Sequence, residues 1–323
     1  MKQLAASLQE KLPYYYTPFA RRFLGSGNHL NQNKFKKEIE GKTTMITGGS
    51  SGIGLAVARQ LAAAGGKVIL VARGMEKLEE AQKEVQALGG ECFIYSCDLS
   101  SPEACETLVK QVLADHGRVD ILINNAGRSI RRSIHHSTDR FHDFQRTMDI
   151  NYFGAVQLVL GLLPSMREHN YGRIINVSSI GVQANAPRFS AYVASKAALD
   201  AFSRCIASEV AHNNIHLTNV FMPLVRTAMI APTKLYNHVP ALNTFQAAQL
   251  VLKPITNNQK KVTTPLGSFA EVAYDISPRS IDWVQNLAYR LFPDSNAKNE
   301  DGSEKELSLA GRVFARLSSG IYW

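Results

Sequence analysis

The chain is poor in cysteine: Cys92, Cys97, Cys105 and Cys205 are the only four in 323 residues, and no two form a CxxC pair. Such spacing supports neither a disulfide framework nor a zinc ribbon, so the thiols read as reduced. No metal is expected. His212 and His216 stand four apart, but they flank Asn213 and Asn214, where a helix should end, and no acid completes a ligand set. Long apolar runs are also missing. The best candidate, Tyr152 to Met166, is interrupted by Gly154, Gln157 and Pro164 and falls short of the roughly 18 to 20 residues that cross a bilayer. It reads as a buried helix. The N-terminus has neither the compact apolar stretch nor the small-residue cleavage site of a signal peptide, so the expected location is cytoplasmic. No internal repeat is found. Acids are in deficit, 27 against 36 Lys and Arg, for a net charge of +9. A surplus of that sign attracts phosphorylated small molecules, membranes and nucleic acid alike. Without paired zinc ligands or an aromatic RNA-binding strand, no nucleic-acid partner is expected.

What is present is a strand–helix rhythm. Hydrophobic residues make up 45% and charged residues 20%, as in a soluble globular protein. Strands are expected at Thr43–Thr47, Lys67–Ala72, Glu91–Ser96, Val119–Asn124, Gly172–Ser178 and Ile215–Met222. Helices are expected at Leu55–Ala64, Met75–Leu88, Pro102–His116, around Phe144–Met166, and at Tyr192–His212. Strands alternating with helices of this length make βαβ units and a parallel sheet. The fold class expected is therefore α/β, a Rossmann-like doubly wound sheet in a single domain, residues 42–280. After Pro223 prolines punctuate shorter segments, and residues 223–280 read as the part that shapes a substrate pocket. Residues 1–41, with Tyr14, Tyr15, Tyr16, Phe19 and Phe23 among bases, read as an N-terminal extension. Residues 281–323 read as a C-terminal amphipathic segment, helical around Trp283–Phe292 and Leu307–Leu317.

Thr47-Gly48-Gly49-Ser50-Ser51-Gly52-Ile53-Gly54 lies between a strand and a helix. There a dinucleotide pyrophosphate meets backbone N–H groups and the positive end of a helix dipole. A tight βα turn without ligand is the plainer alternative, since the spacing departs from GxGxxG. At the end of the second strand, where NAD enzymes keep an acid for the ribose 2′-hydroxyl, the acid is missing and Ala72-Arg73 stands instead. A guanidinium there can take a 2′-phosphate, which favours NADP(H); a solvated arginine is the alternative.

In order along residues 42–230, these motifs resemble those of the short-chain dehydrogenase/reductases. The glycine turn is similar to the family's TGxxxGxG, Asp98-Leu99 to its adenine-contacting pair, and Asn124-Asn125-Ala126-Gly127 to its NNAG strand end. Asn151, Ser179, Tyr192 and Lys196 fall where the family has its catalytic tetrad. The resemblance also assigns cofactor contacts to Pro223, Val225 and Thr227, although the family's usual Pro-Gly is here Pro223-Leu224. Tyr192 and Lys196 stand at i and i+4, on one helix face. A free phenol titrates near pH ~10, and a nearby ammonium lowers that value, so Lys196 would ready Tyr192 as proton donor. Ser179 would polarise the substrate oxygen; Ser178 is adjacent, but Ser179 has the family's offset from Tyr192. Asn151 would hold a water that links Lys196 to solvent.

Longer strings resemble the fatty acyl-CoA reductases of wax-ester-forming bacteria: Asn124–Ser133, Asp139–Met148, Asn151–Val156, Ser178–Cys205 and Met222–Thr233. That likeness implies NADPH-dependent reduction of a long-chain acyl-CoA to a fatty aldehyde with release of CoA. Arg128, Arg131 and Arg132 could meet CoA phosphates, or form a solvated face, or pair with Asp139 and Asp143. The competing activity is reduction of a ketone or aldehyde (a steroid, a 3-oxoacyl group or a small carbonyl) by the same tetrad. A non-catalytic NADP-binding protein would be signalled by loss of Tyr192 or Lys196, and both are present. The terminal stretches suggest peripheral contact with a membrane or lipid droplet. The apolar helices around Asn151–Met166 and Tyr192–His212 suggest a homodimer or homotetramer.

Overall fold

Unbroken Val, Ile and Leu runs mark strands covered on both faces. In the computed structural model, which describes residues 30–230 and 241–291, every residue of β1 (Thr43–Thr47) is buried. With β2 (Lys67–Ala72), β3 (Cys92–Ser96), β4 (Ile121–Asn124), β5 (Gly172–Ser179), β6 (Ile215–Met222) and a short β7 (Lys261–Val262) it forms one all-parallel sheet. The order is β3-β2-β1-β4-β5-β6-β7.

Helices cover both faces. On one, Ile46, Leu70, Ile123 and Val220 pack against α1 (Gln32–Ile39), α2 (Gly52–Ala63), α3 (Met75–Gln86) and α9 (Thr244–Asn257). On the other, Met45, Ile69, Leu122 and Ile174 meet α4 (Pro102–His116), α6 (Gly154–Glu168) and α8 (Ser190–Glu209). The remaining helices are α5 (Phe141–Met148), α7 (Ile180–Ala184), α10 (Pro265–Ile276) and α11 (Pro278–Leu291). The order reverses between β1 and β4, and a doubly wound sheet opens its crevice at the carboxyl ends of those strands. No helix among the described residues is long and apolar enough to cross a membrane.

Beyond shifts of one to three residues at element ends, the structure differs from expectation in three places. The helix expected at Phe144–Met166 comes in pieces: α5, a π-helical turn at Asp149–Phe153, and α6. Apolar spacing does not register one extra residue in a turn, yet such turns cluster at functional sites, and this one carries Asn151. The end of the segment read as an extension belongs to the packed unit. Asn31 caps α1 by accepting from Lys34 N at 3.1 Å, and Phe35 and Ile39 are 1% and 0% exposed in the core. Part of 223–280 is likewise core rather than pocket, since Val251 and Leu252 of α9 are fully buried. Pro265 and Pro278 begin helices. The aromatic stretch Tyr14–Phe23 and the stretch Leu307–Leu317 lie outside the described residues.

Candidate active site

The crevice is built on a stitched floor. Thr47, at the end of β1, is 2% exposed, and its Oγ1 accepts from Asn125 N and Ala126 N at 3.0 Å each. Asn125 Nδ2 donates to Thr47 O at 2.9 Å and to Gly48 O at 3.2 Å. Both residues therefore tie β1 to β4 beneath the cradle, with these polar groups engaged in the tie. Gly48 and Gly52 have φ of +64° and +56°, a region glycine enters without strain. A Cβ on Gly54 would stand 2.3 Å from Gly48 O, so turn and helix start touch backbone to backbone. Ser51 occupies the N-cap of α2 without a side-chain capping bond, which leaves first-turn N–H groups for another acceptor. Ser50 and Ile53 are half-buried beside it, and Thr227 lies over Gly52, 3.5 Å from where its Cβ would be. These features fit a dinucleotide's pyrophosphate.

Towards β3 the crevice carries charge. Arg73 is exposed at the end of β2, and its carbonyl accepts from Ser96 Oγ at 2.8 Å. Asp98 is held below the usual carboxylate range, chiefly by hydrogen bonds from Ser100 (Oγ at 2.7 Å, N at 3.1 Å), with the nearby charges of Arg73 and Arg128 adding to the effect. The side chain of Leu99 is buried. Its carbonyl would stand 2.3 Å from a Cβ on Gly154, so the loop after β3 rests on the start of α6.

Two of the four expected tetrad positions, Asn151 and Lys196, meet at the other end. A Cβ on Gly127 would lie 3.0 Å from Asn151 Oδ1 and 3.4 Å from Lys196 Nζ, which brings these three residues together. Thr47, Ala126, Asn151 and Lys196 line one narrow seam. Lys196 is buried, donates from Nζ to Val177 O at 2.8 Å, and is pushed down to about 8 by burial of its charge. Tyr192 is half-buried one turn earlier on the same face, its ring edge-on to Phe189. Both polar atoms of the Asn151 side chain are engaged: Oδ1 accepts from Arg128 N at 2.8 Å, while Nδ2 donates to Arg128 O and to Ser195 Oγ, each at 2.9 Å. Ser195 Oγ in turn donates to Tyr192 O at 2.7 Å. Ser195 was not among the sequence candidates, because a small polar residue beside a helical lysine carries no signal of its own.

Ser178 and Ser179 face opposite sides of β5. Ser178 is buried, and its Oγ has no partner among the described residues. Ser179, at the strand end, accepts from Gly181 N at 3.0 Å as the cap of α7, a bond that leaves its O–H able to donate. After β6, Arg226 N donates to Leu242 O and Leu242 N to Leu224 O, both at 2.9 Å. This parallel bridge leaves the N–H and C=O of Val225 itself on the other side. Pro223 is half-buried at the start of that segment.

An amide ladder that sequence reading missed keys α8 to the sheet. Asn124 Nδ2 donates to Asn176 Oδ1 (2.9 Å), and Asn176 Nδ2 to Asn219 Oδ1 (3.1 Å) and Ser203 Oγ (2.7 Å). Asn219 Nδ2 then donates to Asp200 Oδ1 (2.7 Å). Ser203 and Asp200 lie on α8 with Tyr192 and Lys196, so the ladder helps set that helix's height on the sheet. Of the three arginines after β4, Arg128 is bound through its backbone to Asn151, and Arg132 pairs through Nε with Asp143 at 3.1 Å. Among the described residues no cluster of His, Cys, Asp and Glu could hold a metal.

The family pattern described as short chain dehydrogenase matches residues 42–236. A fatty acyl-CoA reductase of Acinetobacter baylyi is 52% identical over 90% of this chain and 97% of its own length. A fatty acyl-CoA reductase of Mycobacterium tuberculosis is 41% identical over 78% of this chain and 85% of its own. A metagenomic short-chain oxidoreductase crystallised with NADP superposes with a TM-score of 0.61 at 29% identity, covering 70% of this chain and 97% of that one. The chain is an oxidoreductase and belongs to the short-chain dehydrogenase family.

Proposed function

We propose that the chain reduces a long-chain fatty acyl-CoA to a fatty aldehyde with NADPH, releasing CoA. The observation that carries the reading is the meeting of Gly127, Asn151 and buried Lys196 at the crevice, with Tyr192 on the Lys196 face of α8. Two relatives bearing the name fatty acyl-CoA reductase support the substrate class. Arg73 at the end of β2, with no acid there, supports the 2′-phosphate of NADPH.

Bound NADPH would supply hydride to the thioester carbonyl carbon. The protein's part is proton handling and polarisation at the oxygen. Ser179 donates a hydrogen bond to it, and Tyr192 donates the proton as charge develops. The resulting hemithioacetal returns its hydroxyl proton to the Tyr192 phenolate as the C–S bond breaks, so aldehyde and CoA thiolate leave, the thiolate takes a proton from solvent, and no cysteine nucleophile is needed. Lys196, charged below about pH 8, holds positive potential beside the phenol. The Asn151 amide bonds Arg128 and Ser195, which fixes the residue beside Lys196, where a relay water would be held.

Two further readings concern association. Phe153 and Leu160, exposed near and on α6, support a homodimer or homotetramer, which light scattering of a Leu160→Glu variant would test by a shift to monomer. Phe269, Val272 and Ile276 of α10 and Trp283 of α11 are exposed as well, which supports peripheral lipid contact. Equal recovery of protein from vesicle flotation with and without vesicles would reject that contact.

The deciding experiment follows NADPH consumption and thiol release together, with purified protein and a long-chain acyl-CoA. Matched rates are expected, with Tyr192→Phe slower by roughly 10² to 10⁴. In Arg73→Glu the preference for NADPH over NADH should fall at least about tenfold. NADPH loss with ketones or aldehydes alone would replace the acyl-CoA reading with the carbonyl-reductase one, and an unchanged cofactor ratio would remove Arg73 from the site.

A further inference from the structure

Asp143, in the first turn of α5, is buried yet surrounded by cations. Arg132 Nε and Arg140 Nε lie 3.1 and 3.3 Å from Oδ2, while Oδ1 meets Arg146 Nη2 and, at 3.4 Å, His142 Nε2. Burial alone would push this carboxyl up, but the ion pairs to Arg140, Arg146 and Arg132 outweigh it and hold the group ionised. Three guanidiniums less one carboxylate leave two surplus positive charges, counting His142 neutral. The carboxylate is 3% exposed, whereas the arginines are 31%, 36% and 44% exposed. A purely internal ion pair needs one partner. Here one buried anion gathers three cations and orients them, and Arg132 and Arg140 spend only Nε on it. Each guanidinium has five N–H donors in a rigid fork suited to phosphate oxygens, so the Nη edges of these two arginines have no partner among the described residues.

The cluster also stands beside the catalytic helix. Arg132 N donates to Arg188 O at 2.7 Å, and Arg188 immediately precedes Phe189, the N-cap of α8, whose ring meets Tyr192. Arg188 has φ +71°, so a bulky residue is held in the left-handed region where these two segments join. Its guanidinium stacks on the Tyr289 ring of α11 at 4.1 Å.

We propose that Arg132, Arg140 and Arg146, gathered by Asp143, form the docking site for the phosphorylated nucleotide end of the CoA group, with its 3′-phosphate dianion as the preferred anion. The proposal rests on the acyl-CoA reading above and adds where that substrate's charged end binds. Arg128 and Arg131 are not required by it.

The test compares CoA with dephospho-CoA as ligands in calorimetry on the full chain saturated with NADP, alongside acyl-CoA kinetics. Wild type should bind CoA about tenfold more tightly than dephospho-CoA. Arg140→Gln/Arg146→Gln, which leaves Asp143 its Arg132 partner, should bring that ratio close to one. The KM for acyl-CoA should rise accordingly, with the KM for NADPH and the affinity for dephospho-CoA unchanged. Arg140→Lys/Arg146→Lys keeps the charge but not the fork and should restore part of the ratio, which separates recognition from damage to folding. A ratio that survives the double Gln change, or a wild type that reduces acyl-CoA without distinguishing the two ligands, overturns this site and leaves the activity standing. A wild type that neither binds CoA nor reduces its esters, yet reduces ketones, overturns the activity and the site together.

Discussion

Lys196→Met is expected to lower turnover by at least roughly 10² without unfolding the protein. The two effects separate because the ammonium is in an unfavourable place for stability. Its pKa falls from 10.5 to about 8 through burial, which corresponds to roughly 3 kcal/mol against the charged form. Removing the amine relieves that cost at pH 7, but it strands Val177 O, which accepts from Nζ at 2.8 Å, at a cost of about 1 to 3 kcal/mol. The terms nearly offset, so the melting temperature of the variant at pH 7 should lie close to wild type. The sign of the pH dependence follows. Between about 8 and 10.5 the unfolded chain binds the proton that the folded chain has released, so wild-type stability rises with pH across that window. The variant lacks this rise, and melts at both ends of the window check it. Reductive turnover of wild type should fall as pH climbs through about 8, where the charge beside Tyr192 is lost. A variant that unfolds at pH 7, or a wild-type stability that is flat across the window, would show that Lys196 does not carry the charge in this setting.

The same residue shows how far the sequence could be read. Tyr192 and Lys196 could be paired from i, i+4 spacing, because a helix of fixed pitch converts spacing into a shared face. β1, β2 and β6 have the bounds that apolar patterning predicts, since burial on both faces leaves nearly unbroken runs, and α4 has those that one-sided helical spacing predicts. The π turn around Asn151 was not legible, because one extra residue in a turn leaves the apolar pattern of the long helix nearly intact. Nor was the packing of Phe35 and Ile39, where eight residues with mostly charged neighbours cover the edge of a core whose other half lies elsewhere in the chain.

Thr47 and Asn125 show a different limit. Motif resemblance gives them to the cofactor, and position in a motif does not say what else a side chain bonds within the fold. Their described hydrogen bonds run between strand ends: Thr47 Oγ1 serves two backbone N–H groups of the β4 segment, and Asn125 Nδ2 returns to Thr47 and Gly48. The cradle thus depends on residues beneath it as well as on those facing the ligand. The Asn124–Asn176–Asn219 ladder does the same for α8, and it could not be read from any one segment, since its members come from three strands that only the sheet register sets level.

That dependence makes Gly54→Ala the sharpest test of the cofactor half. Glycine is needed at this position for space, because a Cβ would stand 2.3 Å from Gly48 O and 2.7 Å from Asn125 Nδ2. The first is backbone and the second is committed to the floor, so neither can retreat without opening the β1–β4 tie. Overpacking of this kind costs about 1 to 3 kcal/mol. The larger effect should be on binding, since the N–H groups of the turn and of the first turn of α2 must aim at one anion together, and a shifted Gly48 disperses them. NADPH at a hundredfold excess over its Kd should raise wild-type stability by about 2.7 kcal/mol, read as an upward shift of the melting temperature. In the variant at the same NADPH concentration that shift should be nearly absent, and the unliganded protein should melt a few degrees lower. A folded Gly54→Ala protein that keeps the full NADPH-induced shift would mean that the phosphates do not rest on this turn, and the cofactor half of the site would have to be rebuilt around Arg73 and Asp98.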